Sequence, residues 1–234
     1  MRLRLVRGVI DYDEQREQFW TPGGHPVTLH IRAGTNDHNT AFSCLDEDEY
    51  ALPSGLSGIA WDIGGYIGAV TIALALDNPD LRIITVEPVP ANCDILWRNV
   101  LQAGVEDRVA LIRGAVGAPG QFVDVAYGYK GSEAAEHHAF VGNSTLALGT
   151  DHETITYPAT TVDELLEAGS PAFVKIDTEG AEWDFLPGIS VPLIVGEWHP
   201  TKGDLGAFIA LLPDYDVVFT GPQVGPGGFR ATAK

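Results

Sequence analysis

Four titratable side chains stand at the ends of two apolar runs. Asp177 and Glu179 end Val174-Lys-Ile-Asp-Thr-Glu179, and Glu197 and His199 end Ile194-Val-Gly-Glu-Trp-His199. Carboxylates and an imidazole gathered at strand tips suit removal of a proton from a hydroxyl, and an unperturbed imidazole pKa of about 6.5 is matched to that task near neutrality. If both runs are strands, period two places Lys175 and Asp177 on one side. Two readings of His199 stand open: a general base whose proton is held by Glu197 or Asp177, or a rim histidine bonded to a carbonyl. Asp177 and Glu179 read either as catalytic acids or as a structural network with Lys175 and the N-terminus of a following helix. Glu197 is assigned to the acceptor. Oxygen-rich groups suit Mg²⁺ or Ca²⁺, but no ligand spacing here is diagnostic, and no metal is assigned.

A second constellation is rich in glycine. In Ala60-Trp-Asp-Ile-Gly-Gly-Tyr-Ile-Gly68 an apolar run ends in Asp62, Gly64 and Gly65 turn the chain, and Gly68 opens an apolar helical stretch. Such glycines permit a tight turn and let a ligand approach the backbone at the carboxyl end of a strand. An ordinary strand–helix turn is the alternative. Glu87 closes the next run, where a carboxylate can accept both hydroxyls of a ribose. The dinucleotide fingerprint G-x-G-x-x-G is absent, because Ile63 stands two before Gly65. Asp62 would repel a pyrophosphate, and no Lys or Arg occurs between Arg32 and Arg82. A pocket without phosphate counter-charge suits S-adenosylmethionine (AdoMet), which carries a sulfonium, an ammonium and a ribose diol. The residues expected to hold it are Asp62, Gly64, Gly65, Tyr66, Gly68, Glu87 and Pro88. Ala115 and Val116 are expected beside the adenine. Thr35 and Asp37 are expected at the methionine end, or simply in an Asx-turn.

Acceptor contacts are sought in a long polar stretch, Tyr127–Thr150. Tyr127, His137 and His138 are placed to grip the acceptor or close over it, and Asn143 and Ser144 to approach it. A solvated loop with incidental histidines is the plainer reading.

These groups need a frame. After Gly55, short apolar runs alternate with amphipathic segments, the pattern of a parallel sheet with crossover helices. Strands are expected at Gly58–Ile63, Leu81–Val86, Val109–Arg113, Ala172–Asp177, Leu193–Glu197, Asp216–Phe219 and Gly228–Ala231. Helices are expected at Gly68–Leu76, Pro90–Ala103, Val162–Ala168, Gly180–Leu186 and Leu205–Leu212. Gly104 closes the second of these, and a capping-box spacing of Thr161 and Glu164 opens the third. Val27–Arg32 reads as a short strand in a polar, turn-rich stretch. A hairpin of Phe122–Ala126 with Thr154–Tyr157 is expected to carry the long loop. Residues 1–55 form an N-terminal extension packed on the same domain, and 56–234 the catalytic domain.

Composition narrows the function. The 234 residues carry 14 Lys plus Arg against 32 Asp plus Glu, a formal charge of −18. That charge repels phosphate backbones and anionic lipid, so a small-molecule acceptor is expected and nucleic acid and membrane partners are not. At 45% hydrophobic residues there is material for a sizeable core in one α/β domain. Cys44 and Cys93 are too few for a disulfide scaffold or a four-thiolate zinc site. No uncharged apolar run reaches about 18 residues, and Arg2, Arg4 and Arg7 followed by Asp11 leave no centre for a signal peptide, so a cytoplasmic location is expected. The oligomeric state is not legible.

Several strings together resemble one family. Asp62-Ile-Gly-Gly-Tyr-Ile-Gly68, Val86-Glu-Pro88, Ala115-Val-Gly117, Thr161-Val-Asp-Glu-Leu165 and Val174-Lys-Ile-Asp-Thr-Glu-Gly-Ala-Glu-Trp183 look like an FkbM-type methyltransferase. Arg32-x-x-Thr35-x-Asp37 and Glu49-Tyr50 resemble the family's lead-in, and Ile194–His199 its later strand with Glu and His. The strings follow family order from Val27 to Pro200. The resemblance implies a class I (Rossmann-like) methyltransferase fold, an α/β architecture with a mostly parallel, doubly wound seven-stranded sheet, here with an irregular N-terminal extension. It also implies AdoMet as methyl donor and hydroxyls of small molecules, natural products or sugars, as usual acceptors. One departure stands out: the family's Gly-Ala-Asn is Gly64-Gly65-Tyr66 here. The expected activity is O-methylation of a small-molecule hydroxyl. N-methylation of an amide or amine is the alternative within enzymes, and an NAD-type oxidoreductase or a non-catalytic nucleotide-binding module the alternatives of other classes.

Overall fold

A computed structural model describes residues 5–6, 9–10, 14–127, 140–141, 153–220 and 226–234. Two antiparallel pairs come first: β1 (Leu5–Val6) with β2 (Val9–Ile10), then β3 (Glu14–Trp20) with β4 (Pro26–Arg32). After α1 (Asp37–Leu45) the chain alternates through β5 (Gly58–Ile63), α2 (Ala69–Asp77), β6 (Leu81–Glu87), α3 (Pro90–Ala103) and β7 (Val109–Arg113). A small antiparallel sheet joins β8 (Phe122–Tyr127), β9 (Phe140–Val141) and β10 (Glu153–Pro158). The remainder is α4 (Val162–Leu166), β11 (Phe173–Ile176), α5 (Glu182–Phe185), β12 (Leu193–Trp198), α6 (Leu205–Ile209), β13 (Tyr215–Thr220) and β14 (Gly227–Ala233).

The main sheet has seven strands in the order β13-β14-β12-β11-β5-β6-β7. β14 runs antiparallel to both its neighbours, and the other adjacent pairs are parallel. This is the mostly parallel, doubly wound sheet that the apolar runs demand. β11 is buried at every position, because helices and the N-terminal strands cover both faces. The winding reverses between β5 and β11. An open α/β sheet binds its ligands at such a reversal, outside the carboxyl ends of the strands.

Local signals set the element ends. Gly68 (φ +90°) opens α2 and Gly104 (φ +68°) closes α3 in the left-handed conformation. Thr161 and Glu164 form the full capping box at α4, with bonds of 3.3 and 2.9 Å. The hairpin pairs Thr154 with Ala126 and Tyr157 with Val123. Besides the two-residue strands β1, β2 and β9, two longer elements were not expected. β3 escapes the sequence because, of its seven residues, only Phe19 is buried. α1 escapes because its inward residues, Asp37, Ala41, Cys44 and Leu45, include a charge.

Phe19, Val27, Leu29, Ile31, Ala41 and Leu45 share one apolar cluster with α2 and α3. A second cluster fills the other face, under α5, α6 and the β12–β14 edge. Among the described residues no helix is long and apolar enough to cross a membrane.

Candidate active site

A cavity of about 330 Å³ lies at the reversal, between α1 and the carboxyl ends of β5, β6 and β11. Gly64 turns the chain out of β5 with φ +84°, and a Cβ there would stand 1.8 Å from the Asp177 carbonyl oxygen. A Cβ on Gly65 would stand 2.3 Å from Thr85 Cγ2. The space a Cβ would need is taken by β11 and β6, while both glycines line the cavity. Lys175 Nζ donates to the Gly64 carbonyl at 2.8 Å and lies 3.6 Å from Asp62 Oδ1. Burial works against its charge, but Asp62 and then Asp177 outweigh that and raise its pKa. Asp62 is fully buried, accepts from Thr71 Oγ1 at 2.5 Å and is not among the lining residues. It anchors the turn from below rather than facing the cofactor.

Glu87 is the buried carboxylate of the cavity. Its oxygens accept from Val89 N (2.9 Å), Tyr66 N (2.9 Å) and Asn92 Nδ2 (3.1 Å). Burial nevertheless pushes its pKa up to about 7. Asn92 also lines the cavity, and its Oδ1 is buried without a hydrogen-bond partner. An acceptor oxygen left bare beside a carboxylate, in a pocket edged by Pro88, Ala115 and Val116, fits a ligand that brings hydroxyl or amine donors. The ribose diol of AdoMet does.

Tyr66 takes φ +49°, a left-handed conformation that costs a non-glycine residue roughly 1–2 kcal/mol. Its hydroxyl donates to Asp37 Oδ1 at 2.7 Å, and the Arg32 guanidinium lies 5.5 Å from the ring centroid. Asp37 is itself fully buried and takes two side-chain bonds from Arg32, at 2.7 and 2.8 Å. Burial alone would raise its pKa, but Arg32 holds it below the ordinary value. Thr35 Oγ1 donates to the Arg32 carbonyl at 2.9 Å and accepts from Asp37 N at 3.2 Å. Thr35 and Asp37 thus brace Tyr66 from behind and do not line the cavity.

The opposite wall is acidic. Asp177 accepts from Tyr50 Oη at 3.0 Å, and Glu179, at φ +57°, and Glu197 share the wall. Burial, then the Asp177 charge, pushes Glu197 up to about 7. His199 is buried behind them, 3.2 Å from Glu179 through Nε2 and 3.2 Å from Glu182 through Nδ1. Burial opposes its charge, but the hydrogen bond and charge of Glu182, then Glu179 and Asp177, push it up to about 9. Its two ring nitrogens thus face Glu182 and Glu179, a setting that favours the charged imidazolium over the neutral ring that a general base requires. Ligand atoms of Asp177, Glu179 and His199 lie within 4.8 Å of one another, a spacing that could hold a metal ion.

Two results are expected. His199→Ala strips Glu182 of its cation in a fully buried position, costing about 3–5 kcal/mol and lowering Tm by more than about 5 °C. An unchanged melting curve would refute the imidazolium. Because Glu87 and His199 both have raised pKa values, their stabilising protons are fully present below the unfolded values and are lost as pH rises through about 7 and about 9. The Tm of the ligand-free protein should fall between about pH 6 and about pH 9; a rise would contradict both assignments.

The cavity therefore unites Gly64, Gly65, Tyr66, Glu87, Pro88, Ala115, Val116, Asp177, Glu179 and Glu197. Asp62, Gly68, Thr35, Asp37 and His199 stand outside its lining. The side chain of Tyr127, and His137, His138, Asn143 and Ser144, lie outside the described residues. Sequence reasoning missed Asn92, and the polar face of α1 with Asn36, Asn39 and Ser43. The five-residue step from Glu87 to Asn92 across a helix start at Pro90 is the signal that pointed to the former.

Residues 62–219, more than half of the chain, match the family model described as the Methyltransferase FkbM domain. A ribosomal RNA small subunit methyltransferase G of Frankia casuarinae is 40% identical over 53 residues, 23% of this chain and 20% of that protein. The O-methyltransferase imqG of Aspergillus flavus is 34% identical over 67 residues, 28% of this chain and 27% of that one. The chain thus spans about a fifth to a quarter of these relatives. Among solved structures, TrmK of M. capricolum with S-adenosylhomocysteine aligns at TM-score 0.48 and 11% identity over 80% of this chain and 67% of that one. A precorrin-6Y C5,15-methyltransferase of Geobacter metallireducens aligns at TM-score 0.47 and 15% identity, over 80% and 84%.

Proposed function

Because the chain belongs to the FkbM methyltransferase family, we propose that it transfers the methyl group of AdoMet to a hydroxyl of a small molecule, with Glu197 as general base. AdoMet supplies an electrophilic methyl on a sulfonium. Glu87, the bare Asn92 oxygen and the Gly64–Tyr66 turn would hold the donor, together with Ala115 and Val116. Across the cavity Glu197 would take the proton of the acceptor hydroxyl, whose oxygen would receive the methyl group that AdoMet supplies, leaving S-adenosylhomocysteine. Lys175 and His199 act indirectly, the first by fixing the turn and the second by restraining Glu179 and Glu182.

One observation carries this reading: a carboxylate with a pKa of about 7 stands on the cavity wall, where a base of that strength accepts a hydroxyl proton at neutral pH. The formal charge of −18 and the acidic wall favour a small acceptor over RNA. Incubating the protein with trideuteromethyl AdoMet and a cell extract tests it. Label in the small-molecule fraction, on oxygen, supports the proposal. Label in RNA, or on nitrogen, refutes it.

A further inference from the structure

Glu49 and Tyr50, which follow α1, stand between two spaces. A second cavity, of about 180 Å³, has Ala51, Gly196, Phe229 and Arg230 in its walls. Glu49, Tyr50 and Glu197 line this cavity and the first one alike, so they form the partition. Glu49 is exposed and Glu197 half-buried, and both carry their carboxylates on flexible arms. Tyr50 is only 8% exposed, and its side chain is pinned at two points. The hydroxyl donates to Asp177 Oδ2 at 3.0 Å, and Lys175 Nζ lies 5.4 Å from the ring centroid, within the reach of a cation–π contact.

The backbone is held as firmly as the ring. Asp48 (φ +49°) and Ala51 (φ +48°) bracket the pair in the left-handed conformation, which a Cβ disfavours. Ala51 N donates to the Asp48 carbonyl at 2.9 Å, Leu52 N to Asp48 Oδ1 at 2.8 Å, and Arg230 to the Ala51 carbonyl at 3.2 Å. Among the described residues the other left-handed positions that are not glycine are Tyr66 and Glu179, both on the wall of the first cavity. Backbone strain gathered around one site points to side chains whose placement matters there.

We propose that Tyr50 determines how large an acceptor the enzyme takes, because its ring closes the first cavity against the second. This rests on the reading that the first cavity holds the donor and that Glu197 is the base. A volume of about 330 Å³ lies at the bottom of the range, roughly 300–1,000 Å³, of sites that enclose one small ligand. The donor therefore occupies most of it. The hydroxyl to be methylated must reach Glu197, which belongs to the partition, so the atoms next to that hydroxyl meet the Tyr50 ring. Removing the ring opens the way into the second cavity.

Donor analogues in which a tertiary amine replaces the sulfonium test this by calorimetry. The parent carries the adenosine and the methionine arm, and its derivatives add a straight arm of two, four, six or eight carbons ending in hydroxyl. Each affinity is taken relative to that of the parent on the same protein. In the wild type and in Tyr50→Phe, which keeps the ring, affinity should rise with arm length and then stop within the series. In Tyr50→Ala the rise should continue for at least two carbons more, at about fourfold per methylene buried. Tyr50→Val, which also lacks the ring, is measured beside it in case truncation to alanine unfolds the chain. If the parent does not bind the wild type, the donor-site reading fails and the size limit falls with it. Where the parent binds, the size limit alone is overturned by a wild-type affinity that climbs through the longest arm. It is equally overturned if the ringless variants stop at the wild-type length, or if Tyr50→Phe extends as far as they do. Loss of the parent from both ringless variants, with Tyr50→Phe still binding it, would assign the ring to the donor and overturn the proposal as well.

Discussion

Glu197→Gln is expected to lower kcat by about 10²–10⁴, the range over which a positioned base acts, with little change in the affinity for S-adenosylhomocysteine. The amide keeps the volume and the hydrogen-bonding oxygen but has no site for the proton. The wild-type rate should rise with pH through about 7, as Glu197 loses its proton, and that limb should be missing from the variant. Single-turnover rates across the pH range check both. A fully active Glu197→Gln enzyme would remove Glu197 from the chemistry and return the role to Asp177.

Glu87→Ala should weaken the binding of S-adenosylhomocysteine by about 10²–10⁴. Two hydrogen bonds from hydroxyls to a charged carboxylate are each worth roughly 1.5–3 kcal/mol. The truncation also strands the donors of Val89, Tyr66 and Asn92 that now meet Glu87. Calorimetry measures the affinity, and circular dichroism confirms that the variant is folded. An affinity within a factor of a few of wild type would mean that the ribose lies elsewhere.

The parts of this molecule that could be read from its sequence are the parts governed by near neighbours. The Gly104 helix end and the Thr161–Glu164 box depend on a handful of consecutive residues, and they stand as expected. So do the sheet strands, and in β5, β6, β11 and β12 the apolar runs are nearly continuous because both faces are covered. The site was legible as a list of residues but not as an arrangement. Gly64 lines the cavity, but what forbids a side chain there is Asp177, from a distant strand, packed against it. Asp37 reads as a cofactor contact until Arg32 and Tyr66 are seen to share it. His199 reads as a base because its local string contains Glu197, yet its Nδ1 stands 3.2 Å from Glu182, which in sequence is one more acid at the start of a short helix.

The position of β14 carries a consequence for how the molecule is made. It follows β13 in sequence, yet it lies between β12 and β13, and among the described strands β13 pairs with β14 alone. During translation β13 therefore leaves the ribosome with no ladder to join, and this margin of the sheet closes only once β14 has emerged as well. The pairing of Gly228 with both Glu197 and Thr220 does not exist before then, even where β5, β6 and β7 have already joined.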